Sequence, residues 1–254
     1  MVLIKWPCAP EDVEATIAVS ISTTPRTLSI STMKQEAETP NPVFAINIHA
    51  RCISSTQPNR AITIKSDGLI FDNTGSGFDT LALGVLSGLV AVDAPEERQK
   101  YISFGMMRPH YAREETSDAA CLREWPRAAF LTVPAMATGE EAVVSYPITV
   151  ERLFQYSHKK TPEYFAPGEE YRISIHPGYV GCLWWCWGGL NDDLKDKKLN
   201  VFKEGERTTI CAPLRPSDAE IEREKWVLGE DVSHLQITLT YPSPKQRIAP
   251  SLCE

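Results

Sequence analysis

Val43-Phe44-Ala45-Ile46-Asn47-Ile48-His49-Ala50-Arg51-Cys52 alternates with a period of two. Phe44, Ile46, Ile48, Ala50 and Cys52 fall on one face, and Asn47, His49 and Arg51 fall on the other. Successive side chains of a strand point to opposite faces, so this pattern describes a strand with one face in a core and one in water. Such half-buried strands are characteristic of antiparallel sheets. On its N-terminal side, Thr16-Ile17-Ala18-Val19-Ser20-Ile21-Ser22 alternates in the same way, and Thr27 to Met33 repeats the pattern after a Thr24-Pro25 break. On its C-terminal side, Gln57-Pro58-Asn59-Arg60 is a turn, and Ala61 to Lys65 runs on as a strand before Ser66-Asp67-Gly68 turns the chain again.

Strand patterns continue along the chain. The apolar run Leu81 to Val92 reads as a buried strand pair or a loop followed by a strand, and Tyr101 to Gly105 as a short strand. Residues 106–127 lack a period and form a long, loop-rich excursion. Phe130 to Pro134 and Ala142 to Val150, the latter bent at Pro147, resume the strands. Tyr171 to Ile175, Tyr179 to Trp187, Leu199 to Cys211 and Leu235 to Thr240 add more. One helix stands out: Ser217 caps it, and Asp218, Glu220, Glu222 and Glu224 load its first turns, where negative charge suits the N-terminal dipole. It is expected to bury Ile221 and Trp226 and to end at Gly229.

About ten to twelve strands that do not alternate with helices argue against parallel α/β folds. Their uneven lengths favour a sandwich over a closed barrel. The expectation is a mainly-β chain: one antiparallel, immunoglobulin-like β-sandwich over 1–241, with long loops and one helix near the C-terminus. Residues 242–254, carrying Pro242, Pro244 and Pro250, are expected to be a disordered tail.

Composition narrows the function classes. The chain has 254 residues, 43% apolar and 23% charged, which suits a globular protein with a sizeable core. Its 26 Lys and Arg against 33 Asp and Glu give a net charge of −7, unsuited to a phosphate backbone, so nucleic acid is not an expected partner. Met1-Val2-Leu3-Ile4-Lys5-Trp6-Pro7 leads into Glu11, Asp12 and Glu14 rather than a long apolar segment, so no secretory signal is expected. The 12-residue run Leu81–Val92 is too short to cross a bilayer as a helix, which needs about 20 residues, so no membrane partner is expected either. Seven scattered cysteines, an odd number, suggest free buried thiols and a cytoplasmic home.

Phe165-Ala166-Pro167-Gly168-Glu169-Glu170-Tyr171-Arg172-Ile173 resembles the F-x-P-G-E-x-Y-x-hydrophobic segment of many immunoglobulin-like sandwiches. Together with Trp184-Trp185-Cys186-Trp187-Gly188 and Asp193-Leu194-Lys195-Asp196-Lys197, it is similar to a group of fungal cytoplasmic proteins. The likeness covers about forty residues strongly, implies the sandwich fold and carries over no catalytic residue.

The candidate sites come from local chemistry. Trp184, Trp185 and Trp187 cannot share one strand face, so either the cluster is core packing with a structured turn after it, or one side plugs the core while the other exposes indole. With Asp192 and Asp193 following, this would be a stacking platform with acceptors for a ligand. In the excursion, Arg108, His110 and Tyr111, with Arg113 and Glu114 nearby, could act as acid, base and anion holder without a cofactor. Cys182 and Cys186 lack zinc or redox spacing, so no metal site is expected. Asn73-Thr74-Gly75-Ser76-Gly77 lacks the glycines and lysine of a phosphate loop, and no cofactor is expected. His49 is expected in solvent on its strand's polar face. Two functions stay open. One is a binding protein for a small hydrophobic molecule or a protein partner. The other is a cofactor-free isomerase, cyclase or dehydratase acting on a hydrophobic metabolite in a fungal biosynthetic pathway.

Overall fold

The computed structural model describes residues 8–36, 41–73, 80–92, 100–105, 121–124, 129–157, 160–166, 168–200, 217–240 and 246–251. In chain order the strands are β1 (Ala15–Thr24), β2 (Thr27–Ser29), β3 (Pro42–Ser55), β4 (Ile62–Lys65), β5 (Leu89–Ala91), β6 (Tyr101–Ile102) and β7 (Phe130–Val133). There follow β8 (Ala142–Thr149), β9 (Tyr171–Ile173), β10 (Trp184–Trp187), β11 (Leu199–Asn200), β12 (Val227–Leu228), β13 (Leu235–Leu239) and β14 (Gln246–Ser251). The helices are α1 (Ile30–Glu36), α2 (Val150–Phe154) and α3 (Asp218–Glu224). The protein is mainly β, and no helix among the described residues is long and apolar enough to cross a membrane.

Four sheets form: β13-β1-β3-β8, β10-β4-β7, β2-β14-β9-β5-β6 and the pair β11-β12. In the first, β3 is central and antiparallel to both β1 and β8. Its alternation holds: Phe44, Ile46, Ile48, Ala50 and Cys52 are buried, while Asn47 and His49 are half-buried and Arg51 is exposed. Ile17, Val19 and Ile21 of β1 and Val144, Tyr146 and Ile148 of β8 share that inner face, and one continuous core joins them to strands of the three- and five-stranded sheets. Burial of such side chains, about 1.5–3 kcal/mol each, is what holds the sheets together.

Several expectations need correction. The pairs β1–β13, β2–β14 and β11–β12 run parallel, not antiparallel, because alternation fixes which face is buried but not the direction of the neighbour. The strand expected over Thr27–Met33 stops at Ser29. Ile30 and Met33 are buried at i and i+3 on α1, a spacing that both periods allow in so short a segment. The strand expected to reach Val150 ends at Thr149, whose hydroxyl accepts the Arg152 N–H and caps α2. The Ser217 cap is present as a capping box with Glu220, but Lys225, at φ 53°, ends α3 before Gly229, and Ile221 and Trp226 are half-buried. Within the expected tail, 246–251 forms β14. Pro250 stands opposite Leu28 of β2, beyond the residues that pair with β9. Leu199–Cys211 shows strand at Leu199–Asn200, and the remainder lies outside the described residues.

The Pro-Gly-Glu-x-Tyr stretch is a structural clasp. Gly168 takes φ 79°, and one Glu169 oxygen accepts from the Ala166 N–H and the Tyr171 hydroxyl, both at 2.8 Å. The other oxygen pairs with Lys100. Burial raises the Tyr171 phenol well above its usual range, and Glu169 raises it further.

Candidate functional site

The expected indole platform is not exposed. Trp184, Trp185 and Trp187 are 2%, 0% and 4% exposed. Strand parity is as anticipated, since Trp185 and Trp187 pack edge-to-face at 5.4 Å in the main core, while Trp184 and Cys186 belong to a second cluster with Leu122, Leu194 and Leu199. What the pattern could not show is that both faces of β10 are covered. Each indole N–H also has an acceptor: Trp184 donates to the Asn200 carbonyl at 2.7 Å, Trp185 to the Asp231 carbonyl at 2.8 Å, and Trp187 to Glu14 at 3.1 Å. The three rings therefore tie β10 to three distant segments of chain. Gly229 belongs to this packing, because a Cβ there would stand 2.2 Å from the Trp184 indole nitrogen.

Asp192 and Asp193 are exposed on the turn after β10, but as formers of that turn. Asp193 accepts from the Gly189 N–H at 3.4 Å, and Arg123 donates to the carbonyls of Leu190, Leu194 and Lys197. Arg108, His110 and Glu114, with Tyr111 and Arg113, lie outside the described residues. Cys182 and Cys186 are free buried thiols that burial pushes up to about 12, and Cys8, Cys52 and Cys121 are free as well. Among the described residues no group of His, Cys, Asp and Glu is placed to hold a metal. His176 caps a turn by accepting from the Gly178 N–H, and His234 lies 3.3 Å from Glu14.

His49 is the histidine whose surroundings carry chemistry. It stands on the outer face of the four-stranded sheet, with Ser20 opposite on β1 and Val143 opposite on β8. The β1 residue that it touches is the diagonal neighbour: Nε2 lies 2.7 Å from Ser22 Oγ. On the other side, Nδ1 lies 2.7 Å from Glu141 Oε1, at the start of β8. A carboxylate can only accept, so the contact with Glu141 places a proton on Nδ1. In the neutral ring Nε2 is then an acceptor, and the Ser22 hydroxyl donates to it. The order Ser Oγ, His Nε2, His Nδ1, carboxylate is that of a nucleophile, its base and the base's orienting acid. The His49 side chain is 22% exposed and Glu141 46%, so the chain is open to a reactant on one side.

Nothing local in the sequence marks this grouping. Parity alone places Ser22 and His49 on outward faces, but Ser22 lies 27 residues and Glu141 92 residues from His49. Only strand register brings them together, and no local motif marks it. No family model, curated protein or solved structure matches this chain.

Proposed function

We propose that this chain is a cofactor-free acyl-transfer enzyme of the hydrolase type, with Ser22 as nucleophile, His49 as general base and Glu141 as the group that orients it. The carrying observation is the hydrogen-bonded chain from Ser22 through both His49 nitrogens to Glu141, at 2.7 Å on each side. Ser22 Oγ attacks an ester carbonyl as its proton passes to His49 Nε2. The carbon–oxygen bond to the leaving group breaks, and the same proton leaves with the alcohol. Water then repeats the sequence on the acyl-serine, and the acid is released with Ser22 and His49 restored.

The isomerase, cyclase or dehydratase reading has its candidate residues Arg108, His110 and Glu114 outside the described residues, and the relay supports acyl transfer instead. The finer fold description, an immunoglobulin-like sandwich, is part of the same proposal, supported by the core that three sheets share. A cytoplasmic setting is supported by the free thiols. A second reading, a binding protein for a small hydrophobic molecule or a protein partner, is favoured by Ile53 and Val143. Both are exposed on the outer face that carries His49.

The test uses a fluorophosphonate probe and 4-nitrophenyl butyrate on the full chain. Wild type is expected to label at Ser22 and to hydrolyse the ester. Ser22→Ala should abolish both, and His49→Gln should slow hydrolysis by about 10²-fold or more. Hydrolysis that survives Ser22→Ala unchanged overturns the assignment, and absence of both labelling and turnover in wild type leaves the binding reading.

A further inference from the structure

We infer that Asn47 is a catalytic residue of this site, its carboxamide N–H holding the oxyanion that forms when Ser22 attacks a carbonyl. The inference rests on the Ser22–His49–Glu141 proposal and adds the group that proposal lacks. A serine and its base lower the barrier further when a fixed donor meets the negative charge that develops on the carbonyl oxygen. In many hydrolases the donors are backbone N–H groups of a turn or helix start. Here they cannot be, because Ser22 stands within a strand. Backbone N–H groups of β1 lie in the plane of the sheet, alternating between β3 on one edge and the edge that β13 pairs along Ala15–Val19 on the other, and none rises over the outer face where Ser22 projects. A donor above that face has to be a side chain.

Asn47 is the direct register partner of Ser22 across β1 and β3, on the same outer face. Directly opposite residues bring their Cβ atoms to about 4.5–5.5 Å. Its Nδ2 donates to Thr24 Oγ1 at 3.1 Å. That contact turns the carboxamide nitrogen toward β1, the strand that bears the nucleophile, with Thr24 two residues beyond Ser22 on the same side. A carboxamide nitrogen carries two hydrogens. One is engaged by Thr24, and the other has no acceptor among the described residues. Thr24 is thus a positioning residue, and Asn47 presents one free N–H on the side of Ser22 away from the Glu141 end of the relay.

The step balances without a further reactant. As the Ser22 Oγ–carbon bond forms, the carbonyl π pair moves onto oxygen, where the Asn47 N–H receives it, and the serine proton goes to His49. The pair then returns, the bond to the leaving oxygen or sulfur breaks, and His49 supplies the proton to that atom. With a single donor the site suits esters and thioesters, whose leaving groups depart more readily than an amine.

Wild type, Asn47→Ala, Asn47→Asp, Thr24→Val and Ser22→Ala are compared for kcat and KM on 4-nitrophenyl butyrate, with thermal midpoints recorded. Asn47→Ala and Asn47→Asp are expected to lower kcat about 10²-fold with KM within about threefold, and Thr24→Val to fall in between. A second readout is the rate ratio between an ester and its thionoester, whose sulfur accepts a hydrogen bond poorly. Wild type should prefer the oxygen ester, and Asn47→Ala should lose that preference, a change that loosened packing would not produce. If Asn47→Ala fails to fold, the Thr24→Val ratio decides in its place. Turnover that depends on Ser22 but stays within twofold in Asn47→Ala, with the preference intact, overturns this inference alone. Turnover that survives Ser22→Ala overturns the catalytic proposal beneath it.

Discussion

Trp184→Phe separates a structural indole from a ligand platform. The substitution keeps an aromatic ring in the small cluster but deletes the N–H that meets the Asn200 carbonyl at 2.7 Å. Because that bond is buried, its loss costs about 1–3 kcal/mol. The smaller ring also vacates a few tens of Å³ beside Gly229 and Phe130, and at roughly 24 cal/mol per Å³ this adds about 1 kcal/mol. The expected loss is about 2–4 kcal/mol, read as a lowered urea midpoint with an unchanged slope. For a chain of this size that corresponds to a fall of roughly 4–16 °C in Tm. Hydrolysis per folded molecule should be unaffected, since the outer face bearing Ser22 belongs to another sheet. A loss below about 0.5 kcal/mol would refute the buried, bonded indole and restore the expectation that Trp184 faces a ligand.

Two further outcomes follow from burial. Ile46→Ala, at the centre of β3 with no exposed surface, should cost about 2–5 kcal/mol by chemical denaturation, and a cost near zero would mean the inner and outer faces of β3 are exchanged. Burial pushes Cys182 and Cys186 up to about 12, so both stay as unreactive thiols in mildly alkaline buffer. Among the described cysteines, native alkylation should therefore reach half-exposed Cys8 first and these two only on unfolding; labelling of Cys182 within minutes in the native protein would contradict its place in the core.

The parts of this architecture visible in the sequence are those set by short-range geometry. Phe44, Ile46 and Ile48 declare their face because a strand has a period of two, and Ser217 with Glu220 declares a helix start because a cap needs only those two side chains. Met33 and Lys225 show where local rules compete. Ile30 and Met33 fit a helical spacing as well as Leu28 and Ile30 fit a strand, and packing decides. Lys225 accepts a left-handed φ that a glycine four residues later advertises more loudly. At Trp184 parity left two readings, because an alternating strand permits one wet face, and a loop held by Arg123 covers the second. The Ser22–His49–Glu141 grouping was out of reach, for it exists only once β1, β3 and β8 are in register.

The pairing of β1 with β13 has a consequence for how the chain comes into being. Glu14 meets His234 across 220 residues, and Ala15 stands beside Leu235. At about 5–20 residues per second, a ribosome takes roughly 10–40 s to deliver the partner of the first strand after that strand has emerged. Throughout that interval the nascent β1 has a vacant edge, and such non-local closure is intrinsically slow once its partner arrives. The growing chain thus carries an unpaired β1 edge until its last strands are made. Pausing translation between β12 and β13 should lengthen that exposure and raise the aggregated fraction, without any change in the stability of molecules that finish folding.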